Sequence, residues 1–271
     1  MSIKLILYFS IIFFIIIITI CILLYYNKTT EHLQNNQKIF YLTYGDEKFK
    51  KSRERIIKEA QNLNFFTNTI LETEAIIDDD EFKNALKNNK FRNVFHQKRG
   101  GGYWLWKPYV IYKNLKKINK NDILIWSDAG SKIPNIEKTR NNLKKLINIV
   151  NNNSGIIAFD LGAKESKWTK GDILFYFNEH KNKKIHNSRQ VVSGKLIIRK
   201  CDKSMKICKL WWDIARTKPD LFSDSPSKFP NLQDFEENRH DQSILSLICK
   251  TNNVPIFRKE FIQIKDTRIR E

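Results

Sequence analysis

The chain has 271 residues, 41% of them hydrophobic, and its 48 Lys and Arg against 29 Asp and Glu give a formal net charge of +19. Once an apolar N-terminal run is set aside, that length leaves one domain of ordinary size with a substantial core and excludes a second. The basic residues are scattered through most segments, so their field would attract anionic headgroups, nucleotide diphosphates, acidic glycans or nucleic acid without choosing among them.

From Leu5 to Tyr26 the sequence carries no charge and no proline, and as a helix it is long enough to cross ~30 Å of hydrocarbon. It ends in Leu23-Leu24-Tyr25-Tyr26-Asn27, without the small residues of a cleavage site, which favours an uncleaved anchor over a signal peptide. The expected organisation is a short tail (1–4), a transmembrane anchor (5–26), a polar stem (27–37) and one domain (38–271). Lys4 with the α-amine scarcely outweighs Lys28, so an N-in, C-out orientation is an expectation with little charge support. Asn27-Lys28-Thr29 and Asn152-Asn153-Ser154 match the glycosylation sequon, the first very close to the membrane.

Lys38 to Tyr44 reads as a strand that breaks at Gly45-Asp46, followed by a helix from about Glu47 to Leu63 with Ile56, Ile57 and Ala60 on one face. Asn64 to Ile70 suits a second strand, and Asp79 to Phe91 a helix with Phe82, Ala85 and Leu86 inward. Arg99-Gly100-Gly101-Gly102 is a flexible break before Tyr103-Trp104-Leu105-Trp106-Lys107-Pro108-Tyr109 and a helix running to about Lys117. Asp122 to Trp126 is the continuous apolar strand of a sheet covered on both faces, ended by Ser127-Asp128-Ala129-Gly130. A helix over 135–151, strands over 155–159 and 191–199, a Pro-containing loop over 223–238 and a helix over 241–250 capped by Asp241 complete the series. This βαβα order predicts an α/β fold with an open, mostly parallel (mixed) Rossmann-like sheet flanked by helices, its ligands beyond the carboxyl ends of the strands. Cys201, Cys208 and Cys249 show no zinc spacing, and their odd number favours buried apolar side chains over a disulfide framework, although Cys201 and Cys208 could pair in an oxidising lumen.

A carboxylate at a strand end, as at Asp128, either holds Mg²⁺ or Mn²⁺ against a diphosphate or caps the turn that follows. With a single acid there, a metal would need a further ligand, for which His240 or Asp241 is available. Without a metal, Arg99, Lys107 and the backbone amides of Gly100 to Gly102 could balance phosphate charge. The three glycines also read as a plain loop, Asp241 as a helix cap, and at least one of Trp104 and Trp106 as core packing.

Taken together, RGGGYWLWKPYVI, DILIWSDAG and RHDQSILSLICK resemble a family of GT-A-type glycosyltransferases found in bacterial, viral and eukaryotic polysaccharide pathways, over roughly residues 38–260. The resemblance implies a GT-A-like fold, a nucleotide-sugar donor and a divalent metal, Mn²⁺ or Mg²⁺, at a strand-end motif that commonly reads Asp-x-Asp. Here Gly130 replaces the second aspartate. Carried onto this chain, the family likeness implies donor-side roles for Arg99, Gly101, Gly102, Tyr103, Trp106, Lys107, Asp128 and Gly130. It implies a base or ion-pair stabiliser at Asp241 beside Asp128, while Asp128 with His240 is the metal-ligand pair that the residues themselves offer. Asp160, Trp168, Lys170, Asp172, Ser193 and Gly194 would fall on the acceptor side, where ordinary loop polarity is the competing reading.

The expected activity is a membrane-anchored glycosyltransferase, of hexosyltransferase type, acting on a glycan, protein or lipid acceptor, with a lumenal type II topology. The alternative is a tethered, non-catalytic module that binds a glycan or nucleotide sugar. Nucleic acid is an unsuitable partner, because no Asp/Glu-x-Lys nuclease core or RNA-binding motif is present and an anchor is awkward for one.

Overall fold

The structure, a computed structural model, describes residues 13–22, 37–153 and 155–266. The chain divides into residues 1–38 and a compact unit from Ile39 onward. In the first, residues 13–22 are helical and exposed, while the rest of the apolar run, the tail and nearly all of the stem lie outside the described residues, as do the first sequon and Ser154 of the second. Among the described residues no helix is long and apolar enough to cross a membrane.

The compact unit is built on a six-stranded sheet in the order β2-β1-β3-β6-β5-β7. Its strands are β1 (Ile39–Tyr44), β2 (Asn68–Glu72), β3 (Ile123–Ser127), β5 (Ile156–Lys164), β6 (Arg189–Arg199) and β7 (Ile256–Arg258). A small ribbon pairs β4 (Ser131–Lys132) with β8 (Lys265–Asp266). β1 is parallel to both β2 and β3, and β5 is parallel to β7, but β6 runs antiparallel to β3 and to β5. The sheet is therefore mixed.

Alternation along the strands feeds two cores. Tyr41, Ile123, Ile125, Ile157, Phe159 and Ile197 face one side, where α1 (Lys50–Asn62) contributes Ile56 and Ala60 and α5 (Glu137–Asn151) contributes Leu143, Leu146 and Val150. Leu42, Leu124, Trp126, Ile156, Leu196 and Ile198 face the other, under α4 (Lys107–Lys117), α6 (Asp202–Thr217) and α7 (Asp241–Thr251). Because helices cover both faces, β3 is buried along its whole length, which is why Ile123 to Trp126 has no polar alternation.

Two expected elements are displaced, and one element was not expected. The second strand starts four residues later than expected, since Asn64 takes a left-handed conformation and Phe65 and Phe66 pack into the core. The helix expected over 79–91 is two, α2 (Asp80–Leu86) and α3 (Asn89–Phe95), because the Asn88 side chain accepts from the amides of Lys90 and Phe91 and starts a new helix. α6, unassigned from the sequence, begins where Ser204 and Cys201 cap each other reciprocally. All four cysteines are free, and burial in the core pushes the Cys249 thiol up to about 12.

Candidate active site

β1 has its sequence neighbour β2 on one side and β3 on the other, so the chain changes direction across the sheet between β1 and β3. A crevice forms outside the carboxyl ends at such a point. Tyr44, Gly45 and Asp46 leave one strand there, and Ser127 and Asp128 leave the other. The two ends are clamped by Tyr41 Oη and Ser127 Oγ at 2.5 Å and by Thr43 Oγ1 donating to Ser127 O at 2.9 Å. Trp106 stacks on Tyr44 with centroids 3.8 Å apart, forming an aromatic wall beside Asp46.

Lys107, the first residue of α4, lies at the centre. Its side chain is 2% exposed, with Nζ 3.0 Å from Asp128 Oδ1, 3.2 Å from Asp241 Oδ2 and 3.3 Å from Ser193 Oγ. Burial disfavours its ammonium, but Asp128 and then Asp241 more than offset this and hold its pKa above the ordinary lysine value. Asp241 opens α7, where the helix dipole favours a carboxylate. Burial pushes the Asp241 carboxyl up, Lys107 and a hydrogen bond from Ser193 pull it down, and the net direction is upward. Its Oδ2, buried with the rest of the side chain, is the oxygen that faces the Lys107 ammonium. Asp128, by contrast, has its side chain 44% exposed and faces the crevice mouth.

Gly194 makes this geometry possible. Its carbonyl accepts from Asp128 N at 3.0 Å, and a Cβ there would stand 2.8 Å from Asp128 Oδ2. Ser193 is tied down by its neighbours: Trp126 Nε1 donates to its carbonyl at 3.0 Å, and Gln242 Oε1 accepts from its amide at 3.4 Å. Ser193 and Gly194, expected on the acceptor side, thus belong to the Lys107 centre.

The glycine segment is ordered rather than flexible. Gly100 to Trp104 all have positive φ, a single turn of left-handed helix, and the side chains of Tyr103 and Trp104 make it costly by about 1–2 kcal/mol per residue. His240, itself at φ 56° and ψ −121°, stacks on Tyr103 at 4.9 Å and lies 5.3 Å from Trp104, so strained backbone meets strained backbone beside the centre. The amides of Gly101 and Gly102 donate to Lys98 O and Gln97 O, and Gly102 packs against the Phe95 backbone, so these amides are not turned to a phosphate as expected. Gly101 does border the crevice, since a Cβ there would meet only Trp106 Nε1 and Asp46 Oδ2.

Three other residues, Arg99, Asp160 and His240, depart from expectation. Arg99 is committed to Asp224 at 3.1 Å and Glu237 at 2.9 Å, which draws its guanidinium to the 223–238 loop. Asp160 pairs with Arg189 at 3.6 Å and makes no contact with the centre. Gly130 lies in the turn closed by Ser131 N donating to Asp128 O. His240 does not join Asp128 as a chelating pair: its Nδ1 is 2.7 Å from Phe222 O, and its Nε2 lies 3.7 Å from Asp224 Oδ1. Among the described residues no group of three or more His, Cys, Asp or Glu is arranged to hold a metal ion. Sequence reasoning passed over Tyr44 and Asp46, although the break at Gly45-Asp46 marked the end of β1.

A mixed α/β domain with an Asp-Lys-Asp cluster around a buried lysine at the carboxyl rim of its sheet is the class that fold and site define. No protein-family model matches the chain, and no curated protein matches it. Among solved structures it is similar to a glycosyltransferase involved in the glycosylation of the major capsid of PBCV-1, at 14% identity and TM-score 0.38, over 67% of this chain and 68% of that one. It is also similar to the apo-form glycosyltransferase GlyE of Streptococcus pneumoniae TIGR4, at 11% identity and TM-score 0.43, over 83% of this chain and 46% of that one. A third likeness is to mouse xyloside xylosyltransferase 1 in its apo form, at 10% identity and TM-score 0.43, over 81% and 84% of the two chains. At these identities and TM-scores the likeness bears on neither chemistry nor substrate.

Proposed function

We propose that this chain is a membrane-anchored glycosyltransferase that moves a sugar from a nucleotide-activated donor to a hydroxyl of a glycan, protein or lipid. The observation that carries the reading is the Lys107 ammonium, buried between Asp128 and Asp241 at the carboxyl rim beside the β1/β3 crevice. A fixed, desolvated cation at such a rim stabilises the charge that develops on a departing diphosphate. The crevice walled by Tyr44 and Trp106 suits a nucleoside, with the diphosphate directed to Lys107.

In the transfer, the acceptor oxygen forms a bond to the anomeric carbon as the bond from that carbon to the diphosphate oxygen breaks. The hydroxyl proton passes to Asp241, whose raised pKa suits it as base, and the nucleoside diphosphate leaves with the bonding pair. Asp128 holds the ammonium from the solvent side and orients it. Because Asp128 and His240 do not fit as a chelating pair, no step here runs through a metal. Anchoring is proposed from the charge-free run 5–26, with the domain on the lumenal side.

The test uses the full chain in detergent with UDP-, GDP- and CMP-sugars, each with and without Mn²⁺, following nucleotide release. Wild type is expected to turn over one donor class, and Asp128→Ala to lose that turnover. Undiminished release by Asp128→Ala would reject the assigned role, and donor binding without release by wild type would mark a tethered binding module.

A further inference from the structure

A polar seam runs through the core between β6 and α7 and ends at the Lys107 centre. Glu165, the first residue of the short helix Glu165–Trp168, is fully buried and forms an ion pair with Lys250, whose side chain is 7% exposed. Its Oε2 accepts from that ammonium and from Ser246 Oγ at 2.5 Å. Its Oε1 accepts from Thr169 Oγ1 and, at 3.3 Å, from Nε2 of Gln190, the equally buried second residue of β6.

The four partners of the Gln190 nitrogen can only accept from it. Glu165 is a carboxylate paired with an ammonium, and Trp168 O, at 3.1 Å, is a carbonyl. Thr169 Oγ1, at 3.0 Å, gives its own hydrogen to Glu165, and Ser243 Oγ, at 3.3 Å, gives its own to Trp168 O. The amide therefore has one orientation, with Oε1 turned to Gln242, whose Nε2 donates to it at 2.7 Å. Gln242 Oε1 is then directed at Ser193 N, 3.4 Å away, a backbone donor that cannot reverse. Ser193 ends the seam, its hydroxyl on both Lys107 and Asp241. Ser246 Oγ also accepts from Val191 N at 3.0 Å, so the same network ties α7, which opens with Asp241, to the strand that carries Ser193. Apolar side chains would fill this space at no loss of stability, whereas a matched buried network admits a single arrangement.

We infer that Gln190, oriented by Glu165, is a positioning residue for the Lys107 centre: through Gln242 it fixes Ser193 against Lys107 and Asp241. Its effect on rate rests on the transfer reading, while the polarity of the seam is measurable without it. Gln190→Met keeps the volume and removes both ends of the amide. Gln190→Glu keeps an acceptor for Gln242 but must hold a proton to serve Trp168 O, and beside Glu165 in a dry site that proton stays on above the usual carboxylate range. The full chain in detergent is assayed with whichever UDP-, GDP- or CMP-sugar wild type turns over. In a second arm, without donor, hydrogen exchange of the Gln242 side-chain and Ser193 backbone N–H groups is followed by NMR.

Gln190→Met is expected to lower kcat about 10- to 100-fold and to change donor KM less than about threefold, the mark of a displaced catalytic group. Gln190→Glu should match wild type near about pH 6 and fall to the Gln190→Met rate as its carboxyl ionises, a limb that wild type lacks. In the exchange arm both N–H groups should be protected in wild type, exposed in Gln190→Met, and protected in Gln190→Glu only at the lower pH. If Gln190→Met fails to fold, Gln190→Glu decides. A Gln190→Met kcat within about twofold of wild type, or a Gln190→Glu profile parallel to that of wild type, overturns the positioning role, since packing alone does not titrate. No turnover of any donor by wild type overturns the transfer reading and leaves the exchange arm to decide, where protection unchanged in both variants overturns the seam.

Discussion

Two glycines and a histidine show how tightly the centre is drawn. Gly194 has no room for a Cβ beside Asp128 Oδ2, yet Asp128 is partly exposed and free to swing outward. Gly194→Ala is therefore expected to leave the melting temperature nearly unchanged and to lower donor kcat/KM about 10- to 100-fold, the loss of one charge-assisted contact with Lys107. A fall in stability without a fall in turnover would refute that division. Gly102 is the opposite case, since its neighbour is the Phe95 backbone, so its absent side chain serves folding rather than the site. Burial lowers the His240 pKa below its ordinary 6.5, against the opposing Phe222 carbonyl, Asp224 and Asp241. The unfolded chain then binds a proton that the folded chain refuses, so stability is full above pH 6.5 and declines as pH falls below it. Melting curves between pH 7.5 and 5 should show this decline in wild type and a shallower one in His240→Gln, which keeps a donor for Phe222 O. Equal slopes would mean that His240 charges freely in the fold.

The elements that carry these residues are held by an aromatic cluster remote from the chemistry. Trp212 of α6 lies against Phe82 of α2 at 5.9 Å, Phe91 of α3 at 5.8 Å and Tyr109 of α4 at 4.9 Å, and its Nε1 donates to Glu81 at 2.7 Å. Trp212→Ala should cost about 3–5 kcal/mol in denaturant unfolding, and because α4 begins with Lys107, surviving protein should also bind donor less tightly. A loss under about 1 kcal/mol would show that the cluster collapses to fill the gap. Much of this was readable in the sequence: β3 from its unbroken apolar run, α4 from Lys107-Pro108, α7 from Asp241. Lys107, Asp128 and Asp241 could be associated in advance because each stands at a strand end or helix start, where side chains converge. The direction of β6 was not readable, since an apolar strand covered on both faces looks the same either way up. Nor was the fate of Arg99, whose partners lie 125 and 138 positions away. Three glycines in a row read as a hinge because their freedom is visible in sequence, while the Phe95, Tyr103 and His240 contacts that hold them left-handed are not.

The compact unit begins at Ile39, just after the segment read as a stem, and the centre draws all its groups from that unit. The Lys107 centre is thus built without the apolar run, whose proposed role is to confine the domain to a surface. Confinement has a physical use for a chain of charge +19: a basic domain near an anionic leaflet is held down further by about 1 kcal/mol for each Lys or Arg close to the headgroups. Two forces then act on membrane association, and they respond differently to salt. Electrostatic attraction fades as ionic strength rises and the Debye length shrinks to ~3 Å at 1 M, whereas an apolar helix in hydrocarbon does not let go. The full chain should therefore stay with vesicles containing anionic lipid in both low and 1 M salt, while a chain lacking residues 1–36 should bind them only in low salt and retain donor turnover in solution. Release of the full chain by salt would show that charge alone holds it, and loss of turnover on removing residues 1–36 would show that the run serves the fold as well as the membrane.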